Sequence, residues 1–388
     1  MKIIVVAGAR PNFMKVAPLM GEMGKRPGLT VRLVHTGQHY DARMSQLFFD
    51  ELKIPRPDIE LEVGSASHAV QTAEVMKRFE PVVQAEVPDA VVVVGDVNST
   101  IACALTAAKL GMPVAHVEAG LRSFDRTMPE EINRILTDAI SRWLFVSERS
   151  GLVNLKREGI PDERVFFVGN VMIDTLLQHR ERSEQSTVLE ELRLTGGGYA
   201  VLTLHRPASV DDAGVLSCLL SALARIGREL PVVFPVHPRT RKVLQSALAM
   251  QTRHHSSWLR LTDPMGYLDF LKLMAHAKVM FTDSGGVQEE TTVLGVPCLT
   301  LRTSTERPAT ITEGTNLLVG LDPARIAAEG VRVLSQPRQD RRAPELWDGH
   351  AAERIVDILT CKQVPQTSTV VNGHSTTKSH TFVTGTYT

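Results

Sequence analysis

Short runs of Val, Ile, Leu and Ala recur along the chain, each ending in turn residues and leading into a longer stretch with helical apolar spacing. Strands that are apolar along their whole length must be covered on both faces. The helical stretches between them supply that cover, so the pattern predicts βαβ units and parallel sheets. In the first half the expected strands are residues 3–7, 31–36, 90–94, 114–117, 144–146 and 165–168; a second series follows at 200–204, 232–236, 259–261, 279–282, 298–301 and 316–319.

Between the two series, over residues 176–198, strand character is lost and the chain turns polar, ending in Thr195-Gly196-Gly197-Gly198, which reads as a linker or hinge. A chain of 388 residues with 43% hydrophobic content is long for one core and sufficient for two. The expected organisation is an α/β domain over 1–170, a second over 171–350, a closing helix over 351–361 and a Ser/Thr-rich disordered tail over 362–388. Functional residues in such domains gather at the C-terminal ends of the strands. Two domains facing each other bring two sets of strand ends across one cleft.

Lys+Arg and Asp+Glu both total 43, so no global basic field draws nucleic acid or an anionic membrane, and any phosphate site must be local. The apolar run at the N-terminus meets Gly8, Arg10 and Pro11 too early for a signal peptide or a membrane span, so a cytoplasmic location is expected. Cys103, Cys218, Cys298 and Cys361 lie far apart without CxxC spacing and read as reduced thiols; neither a metal nor a cofactor is expected.

The segment TDSGGVQEE, residues 282–290, follows an apolar strand and opens a helix. Gly285 and Gly286 let the backbone approach a ligand closely, the helix's free N–H groups and positive end suit a diphosphate, and Ser284 adds a hydroxyl donor. Glu290 is the candidate acceptor for a ribose diol. A capped helix after a tight turn accounts for the glycines but not for the adjoining carboxylates. At the first strand-to-helix turn, Gly8-Ala9-Arg10-Pro11 places Arg10 where its guanidinium can fork onto phosphate, with Lys15 nearby. An Arg at a turn is commonly a surface charge, but an anion site in the opposite domain makes the two a clamp.

Asp96 and Glu118 each stand at the end of a buried strand, where a carboxylate is costly to desolvate and packing gives no reason for one. Glu130 starts the helix PEEINR. A first-turn acid also stabilises the helix dipole, with Arg134 as its i+4 partner, so its role is open between chemistry and capping. His205 and Arg206 end the first strand of the second series and His237 the next, while Gln38 and His39 follow the second strand of the first series. All of these face the expected cleft.

Taken in order, GARPNFMKVAPL, TGQHYDARM, VVGDVNSTIA, HVEAGLRSFDRTMPEEINR, LHRP, PVHP, TDSGGVQEE and TERP resemble the non-hydrolysing UDP-N-acetylglucosamine 2-epimerases over roughly residues 1–360. The resemblance implies a glycosyltransferase-B-like fold, with two Rossmann-like domains facing across a cleft and the last helix crossing back to the first. It also implies a homodimer, no metal and a UDP-sugar as substrate. Catalytic roles are implied for Asp96, Glu118, Glu130 and His205. Diphosphate and ribose contacts are implied for Arg10, Ser284, Gly285, Gly286 and Glu290; Lys15, Gln38, His39, Arg206, His237 and Arg307 of TERP complete the expected substrate-binding set. Asp41 departs from the Gln that many bacterial members carry in a stretch contacting an allosteric UDP-sugar, so hyperbolic kinetics are expected. The same variant resembles a subgroup that includes epimerases of more elaborate UDP-sugars.

The implied reaction interconverts UDP-N-acetylglucosamine and UDP-N-acetylmannosamine: the C2 proton is removed as UDP departs from C1, and UDP adds back to the glycal after protonation from the opposite face. The same residues leave four alternatives: hydrolytic capture giving free N-acetylmannosamine, epimerisation of a modified sugar such as a UDP-2,3-diacetamido-uronate, glycosyl transfer, and UDP-sugar sensing. Three carboxylates are more than a transferase needs.

Overall fold

Val-rich runs become strands here because a sheet covered on both faces gives every branched side chain an apolar neighbour. The structure, a computed structural model, describes residues 1–37, 48–236, 238–250, 258–337 and 343–361, without the side chains of Arg10, Pro238 and Arg239. The first sheet contains β1 (Lys2–Ala7), β2 (Thr30–His35), β3 (Ile59–Glu60), β4 (Ala90–Val94), β5 (Val114–Ala119), β6 (Trp143–Val146) and β7 (Val165–Phe167), in the order β3-β2-β1-β4-β5-β6-β7. The second contains β8 (Ala200–Thr203), β9 (Val232–Pro235), β10 (Leu259–Thr262), β11 (Val279–Thr282), β12 (Cys298–Thr300) and β13 (Asn316–Leu318), in the order β10-β9-β8-β11-β12-β13. Neighbouring strands pair parallel throughout, as in β1 on β4 and β8 on β11.

Each of the twelve expected strands is present, with ends within two residues of expectation. Strand β3 was not expected; two residues at a sheet edge are too short to leave an apolar pattern.

Both sheets reverse direction of growth once, between β1 and β4 and between β8 and β11. Such switch points open a crevice beyond the strand ends where a ligand can sit. β1 leads into Arg10, β4 into Asp96, β8 into His205 and β11 into Ser284.

A single apolar cluster runs through both units, including Ile3, Phe13, Met172, Tyr199, Met280 and Ile355. The helix Val171–Ser183 packs against the helices Arg10–Gly24, Tyr267–Ala275 and Gly285–Leu294, and the closing helix Ala351–Thr360 returns to Arg10–Gly24. Asp174 caps that closing helix, accepting from the Ala351 and Ala352 amides at 3.1 and 2.7 Å. Two parallel-sheet α/β domains with a returning final helix make a glycosyltransferase-B-like architecture. The described residues include no helix long and apolar enough to cross a membrane.

Candidate active site

Glu118 has φ 74°, and the register of β5 on β6 shifts between Val117 and Ala119. A bulge of this kind re-aims a side chain at a strand end. The Glu118 carboxylate is shared between the domains: Oε2 accepts from Lys15 Nζ, and Oε1 accepts from Arg307 Nη2 at 2.5 Å. Lys15 is buried, and burial lowers its pKa to about 8, with Asp96 acting against the shift and Arg307 with it.

Asp96 accepts from Arg134 Nη1. Burial opposes its charge, but Arg134, Lys15 and Arg307 outweigh that and hold its carboxyl below the ordinary range. Arg134 does not pair with Glu130, contrary to the i+4 expectation. Its Nη2 donates to Glu131 Oε2 at 2.6 Å, and Glu131 turns inward to accept from the Ser123 and Phe124 amides, both at 2.9 Å. Glu130, about 100° around the helix from Glu131, is half-buried and makes no hydrogen bond to a described residue; its charge acts on Arg206 across the cleft.

In the second domain the helix Gly285–Leu294 begins at Ser284, whose hydroxyl does not turn back onto the helix. A Cβ on Gly285 would lie 2.4 Å from Arg307 Nη1, so only glycine leaves room for that guanidinium over the helix start. Asp283 is fully buried; it accepts from the His205 and Arg206 amides and its Oδ1 lies 3.0 Å from His205 Nδ1, which orients the imidazole. Glu290 accepts from the Tyr267 hydroxyl at 3.0 Å; burial pushes its carboxyl up to about 8, with Glu289 adding to the shift.

Arg307 is the busiest cation of the cluster. Beyond Glu118 it donates to Glu289 at 2.7 Å and to Glu306. Glu306 also accepts from Arg302 at 2.7 Å and lies 3.6 Å from Arg206; despite its burial these guanidinium groups hold its carboxyl well below the usual range. Arg302 Nη1 is buried with no hydrogen-bond partner among the described residues.

The structure thus gathers Lys15, Asp96, Glu118 and Arg307 into one network, with Glu130, Arg206, His205 and the Ser284–Gly285–Gly286 turn around the same strand ends, and Glu290 deeper along the helix. Gln38, His39 and His237 lie outside the described residues, as does Asp41; Arg10 opens its helix, but its side chain is outside the description. Sequence reading missed Asp283, Glu289, Arg302 and Glu306, and assigned Arg134 to Glu130 instead of Asp96 and Glu131. All but Arg302 sit inside PEEINR, TDSGGVQEE or TERP, and Arg302 lies two residues beyond a strand end, as Arg10 lies three beyond another.

Such an arrangement places proton-accepting carboxylates beside guanidinium groups and a free helix N-terminus, a combination suited to moving a proton next to a departing phosphate. The sequence profile of the UDP-N-acetylglucosamine 2-epimerases matches residues 21–360. A UDP-N-acetylglucosamine 2-epimerase homolog of Methanococcus maripaludis is 43% identical over 361 residues, 92% of this chain and 99% of the relative. The UDP-2,3-diacetamido-2,3-dideoxy-D-glucuronate 2-epimerase of Pseudomonas aeruginosa is 40% identical over 363 residues, 92% of this chain and 99% of the relative. Among solved structures, Methanocaldococcus jannaschii UDP-GlcNAc 2-epimerase in complex with UDP-GlcNAc and UDP superposes with a TM-score of 0.86 at 40% identity, covering 93% of this chain and 100% of that one. With the profile spanning most of the sequence and full-length relatives at this identity, the chain belongs to the UDP-N-acetylglucosamine 2-epimerase family and is an epimerase.

Proposed function

We propose that the protein interconverts UDP-N-acetylglucosamine and UDP-N-acetylmannosamine by elimination and readdition of UDP. The observation that carries this reading is the Glu118 carboxylate held by Lys15 of one domain and Arg307 of the other, which brings an acid/base group to the cations suited to a diphosphate. The proton on C2 of an N-acetylhexosamine is not adjacent to a carbonyl and is too weakly acidic for simple removal. Elimination solves this: the C2–H and C1–O bonds break, a C1=C2 bond forms, the proton passes to a carboxylate and UDP takes the electron pair. Readdition reverses these steps with protonation of the opposite face.

Asp96, Glu118 and Glu130 are the acid/base groups of this scheme, with His205, oriented by Asp283, beside the departing phosphate. Arg10, Arg206, Arg307 and the Ser284–Gly286 turn hold the diphosphate, and Glu290 takes the ribose. Ile132 and Leu136, one turn apart and both about half exposed, together with exposed Phe124, support a homodimer surface on this domain. The neutral overall charge supports an enzyme without nucleic-acid or anionic-membrane partners, and the early Gly8, Arg10 and Pro11 support a cytoplasmic one.

Run in D2O with UDP-N-acetylglucosamine and no acceptor, the enzyme is expected to place deuterium at C2 of the product. Asp96→Asn and Glu130→Gln should each slow turnover by roughly 10²–10⁴-fold with UDP affinity little changed. Product without deuterium at C2 would refute the scheme, and free N-acetylmannosamine would mark the hydrolytic outcome. The Pseudomonas aeruginosa relative favours a second reading, a 2,3-diacetamido-uronate as the natural sugar. Proton NMR with both UDP-sugars ranks the two by kcat/KM.

A further inference from the structure

His116 lies on β5 with no exposed surface, among Val and Ala neighbours. A buried imidazole needs both ring nitrogens accounted for. Nε2 is 2.8 Å from the Gly95 carbonyl, which can only accept, so Nε2 donates. Nδ1 is 2.6 Å from Oδ1 of Asp138, which is also fully buried. Burial opposes the Asp138 charge, but His116 and Arg122 outweigh it and keep the carboxyl below its ordinary range, so Oδ1 is an acceptor facing Nδ1. The remaining oxygen, Oδ2, accepts from the Gly120 amide at 3.0 Å and lies 2.7 Å from Arg122 Nη2.

These contacts fall at consequential places. Gly95 directly precedes Asp96, His116 and Gly120 stand two residues to either side of Glu118, and Asp138 belongs to the helix Pro129–Ile140 that carries Glu130 in its first turn. A left-handed backbone at a non-glycine residue persists only where its surroundings over-determine it. At Glu118 the flanking residues are both tied to one carboxylate. A core that needed only filling would use an apolar side chain there, since a buried carboxylate and imidazole are expensive to desolvate.

We propose that the His116–Asp138 pair is the positioning element of the reaction, fixing Asp96, Glu118 and Glu130 relative to one another without touching substrate. The proposal rests on the epimerase reading above. His116→Leu fills the space but removes both bonds. Its kcat should fall by about tenfold to 10²-fold, while KM and calorimetric UDP affinity stay within about twofold, because the diphosphate contacts lie on other loops. Asp138→Asn preserves every contact in neutral form: the amide nitrogen donates to Nδ1, Nε2 keeps its proton for Gly95, and the amide oxygen accepts from Gly120 and Arg122. Turnover in Asp138→Asn should return to within about threefold of wild type.

If circular dichroism shows His116→Leu unfolded, His116→Gln, which keeps a donor toward Gly95 and loses Asp138, carries the same expectation. A folded His116 variant with wild-type kcat, a loss of kcat matched by an equal loss of UDP affinity, or an Asp138→Asn as slow as His116→Leu overturns the proposal. Wild-type protein assayed alongside in D2O keeps the two readings apart. No deuterium at C2 in wild type overturns the epimerase reading, whereas deuterium there with unchanged kcat in the His116 variant overturns the positioning role alone.

Discussion

Glu290 has only 4% of its surface exposed and accepts a hydrogen bond from Tyr267, yet burial still raises its pKa to about 8. In the unfolded chain the same carboxyl releases its proton near 4.5. The folded state therefore holds a proton that the unfolded state gives up, and the unliganded protein loses stability as pH climbs from about 4.5 to about 8. Glu290→Gln removes that penalty while keeping an acceptor for Tyr267. Chemical denaturation should find the variant more stable by on the order of 3 kcal/mol at pH 7, with the difference vanishing near pH 4. A gain that does not change with pH would remove the carboxylate from consideration. The same variant should bind UDP-sugar less tightly, since a diol donating to Glu290 favours its ionised form, a stronger acceptor than an amide. Residues that serve a ligand commonly cost stability without one.

At the scale of elements, the start of the helix Gly285–Leu294 depends on a missing side chain. A Cβ at Gly285 meets the Arg307 guanidinium at 2.4 Å, whereas one at Gly286 meets the flexible end of Met172 at 3.2 Å. Gly285→Ala should displace Arg307 from Glu118 and lower both UDP affinity and turnover by about tenfold or more, with Gly286→Ala much milder. Calorimetry giving equal effects for the two would show that Arg307 yields without consequence. The elements themselves were legible in the sequence because runs rich in Val, Ile, Leu and Ala, unbroken at Ile3–Ala7 and Ala90–Val94, recur between turns and helical stretches, and the acids were legible because a carboxylate at the end of a buried strand has no packing rationale. Their pairing was not: Lys15, Arg134 and Arg307 were each named, but not as the partners of Glu118 and Asp96. Arg307 lies 189 residues from Glu118, and no periodicity connects positions on different domains. The i+4 rule misassigned Arg134 because two adjacent acids point about 100° apart, and burial selected Glu131. Strand β3 escaped because two residues carry no pattern.

In the whole molecule one apolar cluster runs through both units, beside further clusters confined to one unit or the other, with the helix Val171–Ser183 packed against both units and Ala351–Thr360 returning to the first. Separate cores would melt separately. A shared one predicts a single calorimetric transition with the calorimetric and van't Hoff enthalpies in agreement. Two resolved transitions would show that the cluster divides under stress. Where the units meet, the guanidinium groups of Arg302 and Arg307 are occupied by the protein's own carboxylates, Glu306, Glu289 and Glu118. A diphosphate bound as proposed would take Arg307 over from these carboxylates, so its binding would be an exchange of counter-ions. Affinity for UDP will then fall short of what the number of arginines suggests, and the same internal anions reclaim the guanidinium groups as product leaves. On that proposal, a competitor for the ligand's charge placed inside the site would trade tight holding for ready release.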